Sequence, residues 1–156
     1  MAIVPFTDPK GFGLVGSHVN SEEWNAITRQ ADGVDEAPFG FGQPVQRVAG
    51  DNFRCEAWDG ASVPLGITRW TIHNDPVEGY AQGDSVSIMT QGVINVAAGD
   101  VCTAGAPAGY DPALDRWADV GGDFAAVAGV EFDRNAADGE LVQLRVQRPA
   151  GAVTGS

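Results

Sequence analysis

The chain has 156 residues, enough for one domain with a buried core, and its 21 glycines and 9 prolines favour short strands joined by turns over long helices. Its net charge of -12 would repel nucleic acid and anionic membranes, so neither is expected as a partner. No apolar run approaches the roughly 20 residues of a membrane span, and the first residues lack the pattern of a secretory signal.

Residues 1–43 differ from the rest of the chain and predict an extended N-terminal arm. They combine prolines and glycines with large apolar side chains that follow no sustained period. Inside this segment, Ser21 or the preceding Asn20 is a suitable N-cap, and two glutamates follow in the first turn. These signals predict at most one short helix, over residues 21–31.

From Pro44 onward the sequence predicts a β domain spanning residues 44–148, followed by a flexible tail at 149–156. Gly-Asp and Asp-Gly pairs, which favour turns, separate short runs of alternating polarity. Gln91-Gly92 interrupts one such run and is interpreted as a possible tight turn of a hairpin. About eight strands are predicted, with a possible ninth at 140–148; the eight lie near 44–49, 53–57, 63–74, 85–90, 93–97, 100–104, 113–119 and 124–133. The predicted fold is all-β: a small barrel or sandwich of these strands with the N-terminal arm.

Residues that commonly carry chemistry are scattered along the chain. Two histidines and two cysteines occur singly, without the close spacing typical of zinc ligands: His18, Cys55, His73 and Cys102. The cysteines are interpreted as two reduced thiols, with one disulfide bridge as the alternative. The segment 83–87 lacks the second glycine of a nucleophile elbow. The sequence therefore predicts no catalytic residue, no metal site, no cofactor and no enzymatic activity.

Four aspartates are spaced by four residues between positions 111 and 123. This spacing does not match a calcium-binding loop, and Pro112 with the Gly121-Gly122 pair disfavours a long helix. We therefore predict a β-hairpin with aspartates at its turns.

Two segments of the β domain resemble the capsid decoration proteins, or structural cement proteins, of tailed bacteriophages. The first is YAQGDSVSIMTQGVINV at 80–96, followed by AGDVC at 98–102. The second is FAAVAGVEF at 124–132, followed by NAADGELVQLRV at 135–146. Phe39 to Val45 is similar to the family's glycine-rich opening, so the resemblance spans about 38–148.

This resemblance implies a virion protein, made in the host cytoplasm, that binds the outer surface of a phage head. It implies a homotrimer that staples neighbouring major capsid subunits against the pressure of packaged DNA, without catalysis or cofactor. Exposed apolar residues of the arm are the predicted capsid contacts: Phe6, Phe12, Leu14, Val15 and Trp24.

Three alternatives stay open at this point. A carbohydrate-binding or host-adhesion module requires that some of Trp58, Trp70 and Trp117 are exposed and coplanar. A small hydrolase requires a histidine beside carboxylates in a cleft. A head–tail or tail component would form rings rather than trimers.

Overall fold

The computed structural model describes residues 15–19, 23–32, 39–71 and 79–147. Within these ranges the chain forms nine strands and no helix, so the predicted all-β class is confirmed. No helix of membrane-spanning length occurs among these residues. The strands are β1 (Asn25–Ala31), β2 (Pro44–Val48), β3 (Asp51–Ala57), β4 (Gly66–Thr68), β5 (Ser85–Ala97), β6 (Pro107–Asp111), β7 (Arg116–Asp119), β8 (Ala125–Phe132) and β9 (Leu141–Val146).

All nine strands belong to one sheet, in the order β1-β3-β2-β4-β5-β9-β8-β6-β7. Because β1 also pairs with β5, the first five strands of this order pair in a closed ring. The remaining four strands extend from the other half of β5, and a bridge between Ala98 and Trp117 links the last of them back to its end. The fold is therefore two units that share one long strand, rather than a single clean barrel.

Strand β5 is the axis of this arrangement, and the predicted turn at Gln91-Gly92 is wrong. Residues 85–91 pair with β1, whereas residues 92–97 pair with β9. Gly92 has a φ of 126°, and the β1 register shifts by one residue beside it. The glycine thus permits a local distortion where the strand changes partners, and the chain stays extended.

The predicted helix at residues 21–31 is also wrong, because Asn25–Ala31 is strand β1. Its side chains alternate between exposed and more buried positions, and its backbone bonds to β5. A lone helix of this length is marginal in water, whereas the edge of β5 satisfies the same backbone groups. Residues 16–19 continue along the second half of β5, with Gly16 and Val19 donating backbone bonds to it.

Two hydrophobic cores correspond to the two units. The smaller core lies within the five-strand ring and includes Phe41, Val45 and Tyr80. The larger core lies under β6 to β9 and includes Trp117, Phe132 and Leu144.

Cys55 belongs to the smaller core and Cys102 to the larger one, and both thiols are free and buried. Burial raises the pKa of each thiol to about 12. The two cysteines thus match the predicted reduced thiols, and the disulfide alternative is excluded by their separate locations.

The aspartate-rich segment forms the predicted hairpin, made of β6 and β7. Asp111 accepts a hydrogen bond from the amide of Ala113, and Asp115 closes the turn with a φ of 53°.

Elsewhere the strand prediction is less accurate. Of the predicted strand 63–74 the structure describes 63–71, and within that part only Gly66–Thr68 is a strand. The predicted strand 100–104 contributes a single bridge from Cys102. The predicted domain limits at residues 43 and 148 stay predictions.

Candidate functional site

The structure describes two of the five predicted contact residues, Val15 and Trp24. Phe6, Phe12 and Leu14 lie outside the described residues. Val15 is half-buried against the smaller core of its own chain. Trp24 is 41% exposed, which leaves a large indole accessible on the surface of the first unit.

Trp24 directly precedes β1 and lies against Gly92, at the distorted position of β5. A methyl group at Gly92 would approach the Cβ of Trp24 to 2.8 Å, so only glycine leaves room for this approach. The guanidinium carbon of Arg69 lies 4.4 Å from the centroid of the indole ring. The imidazole of His18 lies 5.1 Å from it, centroid to centroid. We call these three residues, His18, Trp24 and Arg69, the Trp24 surface.

Among the described residues, Arg69 is held in place by backbone hydrogen bonds, by one side-chain hydrogen bond and by the ring of Trp24. Its amide bonds to the carbonyl of Ser87, and its own carbonyl accepts the hydroxyl of Tyr80. Its Nη1 donates to the Ser87 hydroxyl at 3.3 Å, whereas its Nε is buried without a partner. Among the described residues, the ion pairs of the chain involve Arg54 and Arg145, not Arg69. Arg69 is therefore a fixed cation, stacked on an aromatic ring, in a strongly acidic protein.

Among the described residues, His18 does not form a general-base pair with a carboxylate. Burial and the neighbouring charge of Arg69 lower the pKa of its imidazole, which makes it mostly neutral at pH 7. His73 lies outside the described residues. Within the parts of the chain that the structure describes, no three potential metal ligands converge. The described residues thus do not form around His18 the histidine–carboxylate cleft that the hydrolase alternative requires.

The tryptophans also do not form the exposed platform that the carbohydrate alternative requires. Trp58 is 4% exposed and Trp117 is fully buried, and each indole nitrogen bonds to a backbone carbonyl. Trp70 is half-buried and packs on the smaller core. The carbohydrate alternative requires some of these three rings to be exposed and coplanar, and the burial of Trp58 and Trp117 contradicts it.

Phe53 is a further exposed aromatic residue, at 82% exposure, and it is not among the contacts predicted from the sequence. Phe53 and Cys55 are two residues apart in β3, so their side chains point to the same face of the strand. Because Cys55 is buried, alternation alone would predict that Phe53 is buried as well. However, β1 and β3 pair only at Gln30–Arg54 and Ala31–Cys55, and Phe53 lies just beyond this contact. Its exposure coincides with the point at which the pairing of β1 and β3 ends, and no local sequence pattern reveals that point.

A second exposed surface lies on the other unit. Val101 and Val120 are 58% and 48% exposed. The carbonyl of Val101 accepts the amide of Asp119, so the two valines are near neighbours. Asp100 and Asp123, both exposed, flank them in the chain. We call these four residues, Asp100, Val101, Val120 and Asp123, the valine patch.

Comparisons with known proteins identify one family and two solved structures that are similar to this chain. A family model described as structural cement protein, represented by E217 gp24 and Pam3 gp6, matches residues 6–147. A solved structure titled the capsid of Myoviridae phage XM1 contains a chain similar to this one, with a TM-score of 0.67 and 14% identity over 96% of this chain and 98% of that one.

The N base of the head fibre gp8.5 of bacteriophage phi29 is also similar, with a TM-score of 0.51 and 14% identity over 81% of this chain and 97% of that one. No curated protein matches significantly. At this level of identity the two structures support the fold, while the family model matches nearly the whole chain.

Proposed function

The chain belongs to the phage structural cement protein family, and from this membership we propose that it binds the outer surface of a tailed-phage head. There it would join neighbouring major capsid subunits and stabilise the shell against the pressure of packaged DNA. The family match over residues 6–147 is the observation that carries the proposal, because it includes the N-terminal segment as well as the β domain.

The charge of the chain supports the outer rather than the inner surface. A net charge of -12 would be repelled by packaged DNA, whereas no such penalty applies outside the shell. Nucleic acid and membrane are accordingly not among the proposed partners.

The proposed capsid contacts are the N-terminal residues Phe6, Phe12 and Leu14, together with the exposed Phe53 of the first unit. Trp24, the other exposed aromatic of this unit, is assigned to a contact between copies instead. Aromatic side chains commonly dominate the binding energy of protein interfaces, because they bury a large area at a small entropic cost. Phe53 has the required exposure and adds a candidate that lies beyond the paired ends of β1 and β3. Val15 would contribute indirectly, because it packs on the smaller core and so fixes the C-terminal end of the segment that carries Phe6, Phe12 and Leu14.

We further propose that the protein acts as a homotrimer around a three-fold axis. Symmetric assembly multiplies the contacts that each copy makes with the shell, so individually weak contacts become stable together. Light scattering behind a sizing column measures the mass; three times the chain mass supports the trimer, and a dimer at every concentration contradicts it.

Binding to undecorated heads tests the proposed function. Wild-type protein is expected to co-sediment with the heads and to saturate. Deletion of residues 2–14 is the informative variant, because it spares the segment bonded to β5 and all nine strands. Deletion of residues 149–156 is the control and should bind like wild type. Equal binding of the 2–14 deletion would contradict a role of the arm, and absence of wild-type binding would contradict the proposed function.

A further inference from the structure

Arg69 carries a charge for which its own chain provides no carboxylate at ion-pair distance among the described residues. Its guanidinium is half-buried, its Nε lacks a hydrogen-bond partner, and the ring of Trp24 covers one of its faces. Desolvating a cation is unfavourable unless an anion or hydrogen-bond acceptor compensates. An incoming carboxylate would thus gain more here than at an ordinary surface arginine.

The second unit of the same chain provides the complementary chemistry. Residues 100–140 contain nine acidic residues and two arginines. Within this segment, Asp100 and Asp123 flank the exposed Val101 and Val120. The valine patch thus offers apolar area that fits an indole, next to carboxylates that fit a guanidinium.

The two surfaces cannot meet within one chain. Trp24 lies beside Gly92, whereas the valine patch begins after Ala98, at the end of β5. Six residues of strand separate these points by roughly 20 Å. A salt bridge requires a separation of about 4 Å, so Arg69 can reach Asp100 and Asp123 only in another copy.

We propose that the Trp24 surface binds the valine patch of a second copy of this chain, with the indole on the two valines and Arg69 facing Asp100 and Asp123. Each copy then uses one surface of each kind, which makes the contact heterologous. Such a contact closes into a ring when the rotation between copies permits it. This inference rests on the proposed self-association and names the residues that produce it.

Charge reversal and charge exchange test this contact in solution, without heads. Arg69→Glu should place like charges together and weaken self-association by roughly tenfold or more, measured as the concentration dependence of mass by light scattering. The double variant D100R/D123R should show the same loss. Combining R69E with D100R/D123R exchanges the charges and should restore much of the association. Restoration is the decisive result, because a general loss of folding would not be reversed by further substitutions.

Arg134→Glu is the matched control, since it makes the same charge change in the turn between β8 and β9. It should leave the mass unchanged. If R69E associates like wild type, if the exchange restores nothing, or if the wild type stays monomeric at every concentration, the proposed contact is overturned. If R69E retains wild-type mass but no longer binds heads, the Trp24 surface contacts the capsid instead, and this contact is again overturned. Wild-type head binding is measured separately, so failure of the contact and failure of the proposed function are distinguishable.

Discussion

Trp117→Phe is expected to destabilise the fold more than the same change at Trp58. Trp117 is fully buried, and its indole nitrogen donates to the carbonyl of Gly42 at 2.7 Å, between the larger core and the first unit. Phenylalanine cannot donate this hydrogen bond. The buried carbonyl oxygen of Gly42 would then have no donor, which costs about 1–3 kcal/mol of stability. The smaller ring leaves a void beside Tyr110 that adds about 1 kcal/mol.

The sum is a loss of about 2–4 kcal/mol, which urea unfolding followed by circular dichroism would measure. With a slope of about 2 kcal/mol per molar urea, the midpoint should fall by about 1–2 M. Trp58 is the control, because its indole nitrogen donates to the carbonyl of Ser62, an exposed residue of a local turn. Water can replace that bond, so Trp58→Phe should cost less by about 1–2 kcal/mol. Equal shifts in the two variants would refute the argument that the buried Gly42 carbonyl dominates the loss.

Three further predictions concern other parts of the fold. Gly92→Ala should cost about 1–3 kcal/mol in urea unfolding, because its φ of 126° disfavours other residues and the new methyl would contact Trp24; an unchanged midpoint would contradict this. Both cysteine thiols, whose pKa burial raises to about 12, should resist iodoacetamide at pH 8 until urea unfolds the chain, and rapid alkylation of folded protein would contradict their burial. Hydrogen bonds from Ser62 and the rest of its turn lower the pKa of Asp59 to about 2, so this carboxylate stabilises the fold above pH 3.8 and stops doing so as the pH falls through about 2. Asp59→Ala should therefore lower the thermal midpoint at pH 6 but not near pH 2, and an equal loss at both values would contradict this.

The parts of the fold that sequence predicted well are those where local pattern and burial agree. In β9, Val142, Leu144 and Val146 are buried and alternate with more exposed residues, as the period-2 pattern indicates. The hairpin of β6 and β7 follows from the turn preferences of aspartate. In both cases the residues that define the element are neighbours in the chain.

The errors occur where partners that are distant in sequence decide the structure. Gly92 has the sequence signature of a turn, but β1 and β9 hold the chain extended on either side of it. Residues 21–31 carry helix-capping signals, but Asn25–Ala31 pairs with a strand some sixty residues later. Local propensity is a weak prior, and a sheet edge that satisfies the backbone overrides it.

Only part of the candidate site could be predicted from the sequence, because residues that are distant in the chain form the rest of it. The exposure of Trp24 could be proposed from its place in a segment without apolar period. Its contact with Arg69 could not, because β4 positions that residue against β5. Likewise, Val101 and Val120 become neighbours only when the segment after β5 bonds to the end of β7.

The most direct test of a cement function is the temperature at which undecorated, DNA-filled heads release their DNA, measured by the fluorescence of an intercalating dye with and without saturating protein. Bound protein is expected to raise this temperature, and the 2–14 deletion, which lacks the proposed arm contacts, is expected to raise it less or not at all. Release at the same temperature with saturating bound protein would contradict the claim that this chain stabilises the shell.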